Sequence, residues 1–170
     1  MLNLLRKSAA RKRIAQALYD KLVVQARKPV FFTGLGVPDT VDGRFDLLTL
    51  HGWLVLARLR AAGLDSIAQD LTDIIFTGFD EALREQGAGD MGLGRRMKAM
   101  AGAYFGRLAA YDAAGGEDEL AVALARNLWR GGPVDGRARA LASYVRTAGQ
   151  ALESASLETG GLDFGPLPLI

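Results

Sequence analysis

The sequence predicts an all-α fold, a single compact domain of about six helices without internal repeats. Three observations predict it. Apolar residues recur at helical spacing along most of the chain. The period-two alternation of a half-buried strand is absent. Glycine, proline and short polar residues fall where helices would start and stop. At 170 residues the chain can build one core and is short for two.

The elements follow in order. The first helix runs from about Ser8 to just before Pro29, with Ile14, Leu18 and Leu22 as its apolar stripe. Leu2, Leu4 and Leu5 precede it and read as a separate sticky end. Val30, Phe31 and Phe32 read as a short extended stretch, followed by a turn-rich link from Gly34 to Thr40. The second helix starts near Asp42 to Asp46 and ends near Ala62, with Gly63 as its stop. It is apolar nearly all round, so it is central. The third spans Asp65 or Ser66 to Gln86, with Gly87 as C-cap and a polar stripe of Asp73, Thr77, Asp80 and Arg84. The glycine-rich link from Gly87 to Gly94 opens a fourth helix that ends near Ala113. A fifth covers about Glu117 to Arg130, and a sixth runs from Gly136 to Ala155 with Asp135 as N-cap. The tail from Gly160 to Ile170, with Pro166 and Pro168, reads as irregular or frayed. Three parts result: a basic amphipathic helix over 1–28, part of the domain or appended to it, a helical body over 29–157 and a tail over 158–170.

Composition excludes several chemistries. With no cysteine there are no disulfides, thiolate metal sites or cysteine nucleophiles. The single histidine, His51, makes a zinc site improbable, and no Gly-x-Ser-x-Gly elbow is present. The longest uncharged apolar run, Leu47 to Ala57, has 11 residues, against the roughly 20 a spanning helix needs. The net charge of +2 conceals an asymmetry. Residues 1–28 hold eight basic side chains and one acid, and the rest holds thirteen basic and eighteen acidic. A basic end on a mildly acidic body fits an anionic partner such as lipid headgroups, RNA or an acidic patch. The same end has the Arg-rich look of a transit peptide, but its periodic pattern runs into the domain without a spacer.

Several constellations have plain structural readings. Gly87 to Gly92 matches the dinucleotide fingerprint, with Asp112 at the acidic position, but a helix precedes it where a strand is required. The glycines are read as supplying positive φ and close approach in a helix–helix link, with Asp90 capping the next helix. Asp39, Asp42 and Asp46 are read as caps and dipole partners of the second helix. His51 lies among leucines and is read as a core histidine with a hydrogen-bond partner. Gly102 and Gly106, four apart, are read as a site of close helix packing. Arg95, Arg96 and Lys98 form a solvated face, and Asp80 with Arg84 forms an i, i+4 pair.

Two stretches together carry a family resemblance. Gly36-Val37-Pro38-Asp39-Thr40 with Gly43-Arg44-Phe45-Asp46 and Leu50-His51 is the first. Gly89-Asp90-Met91-Gly92-Leu93-Gly94-Arg95-Arg96-Met97-Lys98-Ala99-Met100 is the second. In this order they resemble the ubiquinol–cytochrome c chaperone family, over roughly residues 19–112. The resemblance implies a helical assembly factor without catalysis or cofactor. Its client is newly made cytochrome b, for biogenesis of the ubiquinol–cytochrome c reductase complex (complex III) of the respiratory chain. Mitochondrial members act beside the ribosome exit with a small partner protein. Without their long N-terminal extension, this chain looks bacterial. The expected location is the bacterial cytoplasm, peripheral to the inner membrane, with the matrix side of the mitochondrial inner membrane as the eukaryotic counterpart.

Mapped onto the sequence, Asp39, Arg44 and Phe45 are expected to order the first motif, with His51 and Trp53 holding helix two. Asp73, Asp80, Arg95 and Lys98 are expected to form a polar surface near the client. Gly89, Asp90 and Gly92 are expected to shape the link. Arg6, Lys7, Arg11, Lys12 and Arg13 are expected to face a membrane or ribosome, with no DNA and no metal involved. The competing reading is a peripheral membrane- or ribosome-binding adaptor acting through that basic helix. An enzyme using the aspartates would need a deep polar pocket at Asp39, Asp42 or His51.

Overall fold

A computed structural model describes residues 2–87 and 89–169, with the side chains of 6–87, 89 and 92–169. The described residues form six α-helices and no strand: α1 (Leu2–Ala26), α2 (Val41–Ala61), α3 (Asp65–Glu85), α4 (Asp90–Asp112), α5 (Glu117–Leu128) and α6 (Gly136–Glu153). Hydrophobic periodicity places the buried stripes. α1 buries Ala15, Leu18 and Leu22, and α6 buries Ala138, Leu141, Val145 and Ala148. α2, apolar on all sides, contacts each of the other five helices. α1 packs most extensively on α3, and α5 on α6. The basic first helix is thus an integral wall of the core.

Starts and stops match the local chemistry. The Thr40 hydroxyl accepts from Gly43 N–H at 3.2 Å at the head of α2. The Asp135 carboxylate accepts from the N–H groups of Arg137 and Ala138 at the head of α6. Gly63 and Gly87, both with positive φ, close α2 and α3.

Four expectations are corrected. Helix one begins at Leu2 and continues through Ser8, because no residue there breaks the period. The side chains of Leu2, Leu4 and Leu5, read as a sticky end, lie outside the described ones. Val30–Gly34 winds into one π-helical turn, with Leu35 N–H bonded to Val30 O at 3.0 Å. That turn drives Phe31 fully into the core, edge-on to His51 and Tyr144. Asp90 is the first helical residue rather than the cap of α4, a place taken by Gly89, and its side chain is outside the described ones. The tail is irregular but packed. Lys21 Nζ donates to Gly160 O at 2.8 Å, and Phe164 is buried with its ring 5.2 Å from that of His51.

His51 is the polar centre of the core and has no exposed surface. Its Nδ1–H donates to Leu47 O at 2.8 Å, which leaves Nε2 to accept from the Tyr144 hydroxyl at 2.9 Å. Tyr144 in turn accepts from Gln25 Nε2 at 2.9 Å. One satisfied chain thereby joins α1, α2 and α6. Burial pushes His51 down to about 4, only partly countered by its bond to the Leu47 carbonyl, so the ring is neutral at working pH. The core-histidine reading holds, and it removes His51 from any surface role.

Candidate functional site

The first motif builds a corner at the head of α2. A Cβ on Gly43 would meet Pro38 O at 1.9 Å, so only glycine lets the helix start this close to the preceding turn. Asp39 accepts from Arg44 Nε at 2.7 Å on the surface, and the arginine holds the carboxyl below its usual range. This exposed pair orders the corner and adds little stability. Phe45, next in the chain, points inward.

Phe45 forms one wall of a cleft of about 400 Å³ between α1, α2, α3 and α4. Val23, Leu48, Phe79, Ala82 and Met100 make it apolar, and Arg27, Arg44 and Glu85 stand among its lining residues. Val41, Arg44, Phe45 and Leu48 come from the first motif and Met100 from the end of the second. The two stretches that carry the family resemblance therefore meet here.

Aromatic rings lead from this cleft to the surface. Phe45 packs on Phe79 at 5.0 Å, Phe79 on Phe76 at 5.7 Å, and Phe76 stacks on Phe105 at 5.8 Å. Phe105 is 54% exposed on α4. Around it the outward face of α4 carries Ala99, Gly102, Gly106 and Ala109, all exposed. Nothing lies within 4 Å of a Cβ at Gly102 or Gly106. The expected close packing at these glycines is absent: they face outward and leave backbone bare. Between Lys98 and Asp112 the only charged side chain of α4 is Arg107, which turns inward. The result is an uncharged helix face about three turns long.

The polar residues picked from sequence border this face unevenly. Asp73 and Asp80 flank Phe76 on α3. They are held by Gln69 and Arg84 respectively, so the i, i+4 reading of Asp80 with Arg84 is right. Arg95 and Lys98 are exposed on the first turns of α4. Gly89 and Gly92 have open space over their Cβ positions and no positive φ, so the left-handed turn of the link falls at Gly87 instead. Trp53 lies apart, its indole N–H donating to Asp112 at 2.6 Å and tying α2 to the end of α4. Arg6, Lys7, Lys12 and Arg13 are exposed on α1, whereas Arg11 is engaged by Asp70 of α3.

The acidic cluster is also corrected. Asp46 is no cap: it is fully buried, with Oδ1 accepting from Arg107 Nε at 2.7 Å and Oδ2 lying 3.1 Å from Arg130. Asp42 is 3.5 Å from the same Arg130. Sequence reasoning missed this cluster because its partners lie more than sixty residues away. It also missed Phe105, although the charge-free run from Ala99 to Gly106 was readable.

The geometry is that of an all-α binding scaffold, with apolar surfaces joined by aromatic rings. Among the described residues no group of His, Cys, Asp and Glu is placed to hold a metal, and no helix is long and apolar enough to cross a membrane. The chain belongs to the ubiquinol-cytochrome C chaperone family, whose model matches residues 33–159. It is similar over nearly its whole length to the solved structure of the Cbp3 homolog from Brucella abortus. The two share 35% identity with a TM-score of 0.83, over 96% of this chain and 98% of that one. A comparison with curated proteins finds no match. Family and fold agree with the resemblance drawn from the two motifs, and with a chaperone role in assembly of the ubiquinol–cytochrome c reductase complex.

Proposed function

We propose that this chain is a non-catalytic chaperone that binds newly made cytochrome b while complex III is assembled. The observation that carries this reading is the uncharged face of α4 and its aromatic path to the cleft. A membrane-protein client offers apolar helices that must be covered outside the bilayer. Small residues at Gly102, Gly106 and Ala109 let such a helix approach the α4 backbone closely. Phe105 and Phe76 supply apolar contact area beside it. Arg95 and Lys98 at one end, with Asp73 and Asp80 alongside, set its direction and exclude wrong partners.

Pull-down of the tagged chain from its native host tests this, and cytochrome b should dominate the catch. Arg95→Glu combined with Lys98→Glu should leave the helical circular dichroism and melting temperature unchanged, because both side chains are exposed. Cytochrome b recovery should fall severalfold. Normal recovery in that variant would remove the polar rim from the site.

A second reading is favoured by α1. Arg6, Lys7, Lys12 and Arg13 are exposed, with no carboxylate partner among the described residues. They would hold the chain at anionic lipid or at ribosomal RNA. Deleting residues 1–28 cannot test this, since Leu18 and Leu22 are core. Reversing those four charges to glutamate should abolish sedimentation with anionic vesicles or ribosomes, binding that falls steeply with salt in the unmodified chain. Unchanged sedimentation would eliminate the adaptor role.

A further inference from the structure

The packing of α2 against α4 and the α5–α6 turn breaks several local rules at one place. Asp46 has no exposed surface, yet it carries a carboxylate. Of the described residues other than glycine, Arg130 alone has positive φ, at 54°, in the turn between α5 and α6. It holds this unfavourable backbone while its guanidinium reaches Asp46 at 3.1 Å and Asp42 at 3.5 Å. Thr49, one turn along α2, is buried with its hydroxyl unpaired. Asn127 faces the Tyr111 hydroxyl, but neither atom forms a well-aligned hydrogen bond. Violations gathered in one place mark a junction that stores free energy.

We propose that this junction is a hinge kept under tension by the buried Asp46 carboxylate, whose loosening moves α4 and the Phe45 wall together. The coupling is direct. Arg107 binds Asp46 and also lies over the Phe45 ring, 5.0 Å from its centroid, while its own helix carries Phe105 and the bare glycines. That the moving surface is the client surface rests on the function proposed above; the hinge itself does not.

The pH dependence has a definite sign. The groups facing Asp46 are Arg107 and Tyr111 of α4, Arg130 of the turn, and Asp42 of its own helix. Burial outweighs the two arginines and pushes Asp46 up to about 6 from an ordinary 3.8. The packed junction therefore holds the proton more tightly than an opened, hydrated one. Its contribution to stability is full below the ordinary carboxylate range and is lost as pH rises through about 6. Opening is favoured at neutral pH and suppressed in acid.

Native-state hydrogen exchange of the full chain tests this at Gly131 and Gly132 in the turn and at Gly102 and Gly106 in α4. After correction for intrinsic rates, opening should be about tenfold more frequent at about pH 7.5 than at about pH 5. Asp46→Asn should show slow exchange at both. Arg130→Gly relieves the backbone and removes one cation, so it should move the midpoint upward; it decides the matter if the asparagine variant does not fold. A pH-independent opening, an unchanged slope in Asp46→Asn or an unmoved midpoint in Arg130→Gly overturns the hinge. Exchange that changes in the turn but not in α4 overturns the coupling. Cytochrome b capture is a separate measurement: failure to capture any with the unmodified chain removes the client reading and leaves the exchange result standing.

Discussion

Phe105→Glu is expected to cut cytochrome b recovery by more than tenfold while the helical fold survives. The side chain is half exposed, and its stacking on Phe76 adds about 1 kcal/mol to the apolar area it buries, so stability should fall by about 2 kcal/mol. Binding is different in kind. A glutamate in the middle of the uncharged face must be desolvated under an apolar helix with no cation in reach. An unpaired buried charge costs several kcal/mol, and each ~1.4 kcal/mol is a factor of ten. Val122→Glu is the control, because Val122 is 56% exposed on α5 and so lies off the α4 face. Quantitative pull-down with a parallel thermal melt reads both. Equal recovery in Phe105→Glu and Val122→Glu would mean that the α4 face is not where the client lies.

His51→Ala is expected to produce the largest loss of stability of any single polar substitution, about 3 to 5 kcal/mol. It leaves a cavity among Phe31, Tyr144 and Phe164. It also takes from the Tyr144 hydroxyl the acceptor for its proton, while the Leu47 carbonyl keeps only its place in the helical ladder of α2. Urea midpoints measure the effect, and a loss under 1 kcal/mol would show the network to be dispensable. The histidine adds a pH signature. Its value in the fold is depressed to about 4 from 6.5, so the neutral ring stabilises the fold fully above the unfolded value. That contribution, about 3 kcal/mol, is lost as pH falls from about 6.5 toward 4. The gap between the unmodified chain and His51→Ala should therefore narrow in mild acid.

Both substitutions act at residues whose roles were legible to different degrees. His51 could be placed in the core because its i±3 and i±4 neighbours are leucines, a purely local fact. The partners that satisfy it, Gln25 and Tyr144, could not be found that way, since α1 and α6 bring them in from across the chain. Phe105 lay within a readable charge-free period, yet the sequence reading placed Gly102 and Gly106 in an internal contact. Spacing reveals that a helix face is small and apolar, but not whether a neighbour covers it. Asp46 shows the same limit. Three aspartates before a helix have the pattern of caps, and nothing local distinguishes the one that turns inward.

Local patterning was enough for the six helices, the N-cap at Asp135, the glycine stops at Gly63 and Gly87 one residue past the C-caps, the central place of α2 and the family, because these rest on periodicity and motifs that span only a few turns. Tertiary structure alone decided which faces stay uncovered, that Asp46 is buried between Arg107 and Arg130, that Phe31 enters the core on a π-helical turn, and that the tail packs through Phe164. The physical reason is range. A helix is written in contacts three and four residues apart, whereas burial and ion pairing depend on which helices meet, and the hydrophobic effect that joins them has no direction of its own.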